Sequence, residues 1–126
     1  MSKTSKQISG ARAEALACER LKSLGHKIHD TNVRLGYVEL DIVSTHDDVL
    51  CFSEVKYRKN HSFGGPLAAL TLTKQERLIK AASKYLLRKF KAPHLYPRCR
   101  FDVISVSGDL ESATIEYFPN AFEARR

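Results

Sequence analysis

No stretch of this chain approaches the roughly 18 to 20 apolar residues needed to cross a bilayer, and its Met-Ser-Lys-Thr-Ser-Lys opening lacks the apolar run of a secretory signal. A soluble cytoplasmic protein with no membrane partner is expected. Cysteine is scarce: Cys18, Cys51 and Cys99 lie far apart, without the paired spacing of a zinc site or a redox dithiol. They are expected as small buried hydrophobes in a reducing compartment. The five histidines form no metal signature, and there is no internal repeat, low-complexity tract or linker. Acid is nearly missing from one third of the chain, where Glu76 stands alone among eleven bases between residues 58 and 100.

What remains is 126 residues, 43% hydrophobic and 28% charged, enough for one domain with one real core. The net charge of +7 is unevenly spread: +3 over residues 1–30, −3 over 31–57, +10 over 58–100 and −3 over 101–126. A basic face beside a few carboxylates suits a polyanion held through its phosphates next to a divalent cation. A solvated basic surface accounts for the charge equally well, so the carboxylates must decide.

Residues 1–9 read as a flexible polar N-terminus, followed by a domain over 10–118 and a tail over 119–126. From Gly10, apolar residues Ala13, Leu16, Ala17, Leu21 and Leu24 recur at helical spacing, and Gly25 supplies the stop. Strands are expected over 27–33, 38–44 and 49–57, the last two joined by a turn at 45–48. Gly64-Gly65-Pro66 marks a mobile loop over 58–66. Thr73-Lys74-Gln75-Glu76 reads as a capping box that opens a second helix running to about Phe90. Strands over 100–107 and 113–118 complete the order α-β-β-β-α-β-β, an α/β fold whose mixed central sheet contains a β-meander. On the second helix Leu78, Ile79, Ala82, Tyr85 and Leu86 share one side, while Arg77, Lys80, Lys84, Arg88 and Lys91 share the other.

Alternation along the second strand puts Val38, Leu40 and Ile42 on one side and Glu39 and Asp41 on the other; on the third, Phe52, Glu54 and Lys56 share a side. A hairpin closed so that Ser44 opposes Val49 sets Glu39 across from Glu54, with Asp41 diagonal to it. Like charges so close destabilise a sheet unless a cation joins them. Oxygen ligands without His or Cys point to Mg²⁺ or Mn²⁺. Lys56 could orient a water or neutralise charge on a phosphate. Glu14, at the flank of the first helix's apolar stripe, could reach the sheet, or could be one more solvated helix former. Gln75 is either a contact to substrate or metal-held water, or a plain first-turn polar residue.

The ordered set Gly10 to Glu14, Asn32-Val33-Arg34, Glu39-Leu40-Asp41-Ile42-Val43, Phe52-Ser53-Glu54-Val55-Lys56-Tyr57-Arg58, Phe63-Gly64-Gly65, Lys74-Gln75 and Cys99-Arg100-Phe101-Asp102-Val103 resembles the bacterial YraN-like family of endonuclease-like proteins. That family is similar to the PD-(D/E)XK nuclease superfamily, in particular to archaeal Holliday-junction resolvases. The resemblance spans about residues 10 to 107 and implies a single-domain restriction-endonuclease-like fold. It further implies a metal site of Asp41, Glu54 and the main-chain carbonyl of Val55, with Lys56 as the catalytic lysine and Glu14 as an added helix carboxylate. Glu39, Gln75 and Lys74 would border the cleft. Two positions depart from the family pattern, Val38 in place of glycine and Leu72 in place of proline.

The function expected on these grounds is a Mg²⁺- or Mn²⁺-dependent endonuclease that hydrolyses phosphodiesters in DNA, branched or single-stranded DNA included. Arg34, Arg58, Lys74, Arg77, Lys80 and Lys84 would hold phosphates. A homodimer is compatible with a junction cutter, which needs two active sites. The alternatives are an inactive nucleic-acid-binding module on the same scaffold and a basic scaffold protein whose acids are salt-bridged.

Overall fold

The computed structural model describes residues 4–60, 65–68 and 70–124. Helix α1 (Ser5–Ser23) is followed by strands β1 (Lys27–Leu35), β2 (Val38–His46) and β3 (Val49–Arg58). Helix α2 (Leu72–Lys89), a short 3₁₀ turn (Pro93–Leu95) and strands β4 (Arg98–Ser107) and β5 (Thr114–Phe122) complete the chain. The five strands form one sheet in the order β1-β2-β3-β4-β5. Only β3 and β4 pair in parallel, because α2 carries the chain across one face between them. Among the described residues no helix is long and apolar enough to cross a membrane.

The sheet separates two cores. On the α1 side Ala13, Ala17 and Leu21 pack on Ile42, Ile104 and Val106. On the α2 side Leu78, Ala81, Ala82 and Tyr85 pack on Val43, Phe52, Phe101 and Phe122. A helix of small residues fits close to the sheet on one face, and stacked aromatic rings fill the wider space on the other.

Several boundaries differ from the pattern-based reading. Helix α1 starts at Ser5, not Gly10, because Thr4 and Gln7 form a reciprocal capping box one turn earlier than the apolar stripe begins. Helix α2 is capped by Thr71, whose hydroxyl accepts from the Lys74 amide, and not by Thr73. That makes Leu72 the first helical residue, where proline would lose no hydrogen bond, so this departure from the family pattern is structurally silent. The domain continues past residue 118: β5 runs through Pro119 to Phe122, which joins the core. Proline is tolerated there because β5 is an edge strand. Buried Asp102 secures this end, accepting hydrogen bonds from Arg100 Nε (3.1 Å), the Tyr117 hydroxyl (2.5 Å) and the Asn120 amide (2.8 Å). Of the cysteines only Cys51 is fully buried, and Cys99 is exposed. The centre of the loop over 58–66 lies outside the described residues.

The β2–β3 hairpin closes on two residues rather than four. Asp47 (φ +50°) and Asp48 (φ +65°) make the turn, the left-handed pair that a two-residue hairpin requires and aspartate tolerates. His46 therefore pairs with Val49, and Ser44 with Cys51. The register is displaced by two residues from the expected one, which keeps the faces of the paired residues 42–46 but moves Asp41, not Glu39, level with Glu54.

Candidate metal and nucleic-acid site

The β2–β3 pairing ends at Ile42↔Ser53. Beyond that point β2 continues with β1 as far as Leu35↔Val38, and β3 continues with β4 as far as Arg58↔Ser107. The sheet therefore forks, and Asp41 and Glu54 are the first residue past the fork on each branch. Freed from β3, the β1–β2 pair is a two-stranded ribbon, a form that twists more than a wider sheet. In consequence Leu40 packs on the α2 side while Ile42 packs on the α1 side, so the expected common face of Val38, Leu40 and Ile42 does not hold. Asn32, opposite Asp41 on β1, has φ +53°, a conformation open to asparagine.

Two clefts meet at this fork. The first, about 530 Å³, runs between the β1–β2 turn and α2, and is walled by Glu39, Asp41 and Glu54 on the sheet and by Lys74, Arg77, Lys80 and Lys84 on the helix. The second, about 560 Å³, opens toward α1, and also reaches Asp41 and Glu54, together with Glu14, Val55, Lys6 and Lys59. The carboxylate pair thus forms a saddle between two open clefts rather than the floor of a closed pocket.

Glu54 is buried, at 8% exposure, and is met by Lys56 Nζ at 3.6 Å and Lys74 Nζ at 3.5 Å, both on Oε1. Asp41 accepts the Val55 amide at 2.9 Å through Oδ2, which ties the two branches together across the fork. Burial, and then the charge of Glu54, push the Asp41 carboxyl up to about 7, against the lowering effect of that amide bond. Glu14 is also raised, by burial first and by Glu39 second, with a hydrogen bond from Asn32 opposing them. Its Oε1 is buried and has no hydrogen-bond partner among the described residues.

The remaining expected residues are placed as follows. Gln75 turns away from the carboxylates: it donates to the Leu70 carbonyl at 3.1 Å and lines a separate hollow with Leu72 and Ile79. Arg34 is exposed on β1, paired across the ladder with Glu39. Arg58 is half-buried, with Nη2 3.4 Å from the Pro66 carbonyl. Arg77, Lys80 and Lys84 are exposed along the first cleft. Lys6, Lys59 and Tyr37 are among the lining residues that escaped the pattern-based reading. Lys6 lay in the segment assigned as a flexible terminus, and Tyr37 in the gap between two strands.

Among the described residues, no three His, Cys, Asp or Glu side chains converge as a ready-made metal cage. The donors that do meet are two carboxylates at a solvent-open saddle, beside the main chain of Val55. That set suits Mg²⁺, which keeps several waters and takes only one or two carboxylates from its protein. The orphaned Glu14 oxygen and the raised Asp41 carboxyl are further signs of anionic groups short of positive charge. The residues present therefore fit a hard divalent ion.

A small α/β domain with a forked five-stranded mixed sheet, a carboxylate pair at the fork and a lysine-rich cleft beside it is the class this structure defines. The chain belongs to the family described as Uncharacterised protein family UPF0102, whose model matches residues 13–106. It is 37% identical over 115 residues to a UPF0102 protein of Myxococcus xanthus, covering 91% of this chain and 89% of that relative. A UPF0102 protein of Syntrophotalea carbinolica is 40% identical over 114 residues, covering 90% of each. One of Stutzerimonas stutzeri is 36% identical over 121 residues, covering 94% and 97%.

Proposed function

We propose that this chain is a Mg²⁺- or Mn²⁺-dependent nuclease that hydrolyses phosphodiester bonds in DNA. The observation that carries this reading is the fork, which sets Asp41 and Glu54 side by side where two open clefts meet, one of them cationic, with Lys56 Nζ 3.6 Å from Glu54. Asp41, Glu54 and the Val55 carbonyl would hold the ion. Once bound, it would supply Lewis-acid charge to the phosphoryl group under attack. Lys56, 3.6 Å from Glu54, would orient an attacking water and neutralise charge gathering on the phosphate. Arg77, Lys80 and Lys84 lie where successive phosphates of a strand entering the saddle would pass, giving affinity without sequence preference.

One observation favours a second reading, a binding module without chemistry. Two ammonium groups already partner Glu54, and no third carboxylate completes a cage among the described residues. Cleavage assays on four-way junction, flap, single-stranded and duplex DNA with Mg²⁺ or Mn²⁺ separate the two. For the nuclease, Lys56→Ala, Asp41→Asn and Glu54→Ala lose on the order of 100-fold or more in rate, while DNA binding in EDTA changes by less than about threefold. Variants as active as the wild type reject the nuclease, and a wild type that binds but never cuts leaves the binding module.

A further inference from the structure

We infer that Tyr37 is a stacking platform for an unpaired base, so that the favoured substrate carries a single-stranded segment beside the cut. The inference rests on the nuclease reading of the same site and narrows its substrate class. Tyr37 is fully exposed, and no other exposed large hydrophobic residue lines the carboxylate clefts among the described residues. It stands at the tip of the two-residue β1–β2 turn, which is closed by the Leu35↔Val38 pair and fitted by Gly36 at φ +67°. Glycine at the first turn position lets this short connection form without strain, so the ring is carried on a defined support.

Tyr37 lines the first cleft, its side chain open to solvent, and α2 forms the opposite wall. The two walls come close at their outer end, since a Cβ on Gly36 would stand 3.3 Å from Lys84 Nζ. From there Lys80 and Arg77 lead inward along α2 to Lys74, which touches Glu54. One cleft therefore offers a line of cations for phosphates and an aromatic face for a base, the pairing that single-strand binders use without sequence preference. In duplex DNA the bases are stacked on one another, and their faces are closed to a side chain. A strand with an unpaired nucleotide can engage both walls, whereas a continuous duplex can engage only the cations.

The test is equilibrium binding in EDTA of a single-stranded oligothymidylate bearing one 2-aminopurine, and of a plain duplex of similar phosphate number. Tyr37→Ala removes a ring that packs on no core, so the fold is preserved. It is expected to weaken single-strand binding about tenfold and abolish the 2-aminopurine quenching seen with wild type, while duplex binding moves by less than about twofold. Tyr37→Phe and Tyr37→Trp should restore both signals. Single-strand binding equal to wild type in Tyr37→Ala overturns the inference, as does an equal loss for both nucleic acids. So does a wild-type dimer that Tyr37→Ala turns into a monomer, which would assign the ring to self-contact. A wild type that binds neither nucleic acid removes the nuclease reading itself, a result distinct from these.

Discussion

Asp41 shows how much one residue decides. Its carboxyl accepts the Val55 amide across the fork, yet burial and Glu54 hold it protonated up to about pH 7. In the unfolded chain it ionises near 3.8. Between these values the folded state keeps a proton that the unfolded state has released, so stability of the metal-free protein falls as pH rises from about 4 to 7. The full gap corresponds to at most about 4 kcal/mol, and relaxation around the charged carboxyl brings the expected effect nearer about 2 kcal/mol. Asp41→Asn should remove it. In EDTA the variant is expected to be about 2 kcal/mol more stable than wild type at pH 8 and nearly equal at pH 4, as measured by urea denaturation. Parallel pH profiles for the two proteins would rule out this account of Asp41. A carboxylate that weakens the apo fold at neutral pH is consistent with a role outside folding.

At the scale of elements, what was legible followed from periodicity. Period-two alternation brought Asp41 and Glu54 close although the hairpin register was off by two, because a two-residue slip preserves faces within the paired segment; past the fork the alternation of β2 itself breaks, with Leu40 and Ile42 on opposite sides. Local chemistry was less decisive where two signals competed. Thr71 and Thr73 both offer a capping hydroxyl near the start of α2, and the structure uses Thr71, with Leu70 just before it packed against the core. Pro119 suggested an end to β5, but the edge position and the Asp102 hydrogen bonds carry the strand through. The fork was not legible, since it arises where β2 and β3 choose different partners far along the chain. The basic face of α2 was readable from its wheel, and its consequence can be measured. If Arg77, Lys80 and Lys84 each neutralise one phosphate, replacing all three by alanine should flatten the slope of log K against log salt by about 2 to 3 on duplex DNA. The effect should be uniform across sequences. An unchanged slope would return these residues to the role of a solvated surface.

For the whole molecule, the fork explains why a small domain can carry so many opposed charges. Pairing β3 with β4 in parallel fixes one branch, the β1–β2 ribbon forms the other, and the two cores clamp the sheet from both faces, the α2-side core reaching past the split to Leu35 and Leu40. The carboxylates sit at the margin of the α2-side core, next to Leu40, Phe52 and Leu78, and the basic third of the chain forms the cleft beside them. On the proposed reading such a frame would convert ion binding directly into stability, because an ion held between the two branches would be released on unfolding. At Mn²⁺ a hundredfold above its dissociation constant, the gain is about 2.7 kcal/mol, which for a domain of this size raises the thermal midpoint by about 10 °C. Protons compete for Asp41, so the rise should be clearly smaller at pH 5.5 than at pH 8. Asp41→Asn and Glu54→Ala should abolish it, whereas Gln75→Ala, placed in a separate hollow, should leave it intact. A midpoint indifferent to Mn²⁺ at both pH values would mean that Lys56 and Lys74 already satisfy Glu54 and that the saddle holds no ion. The same domain would then be a cationic cleft with a structural ion pair at its end, and catalysis would have to be sought elsewhere.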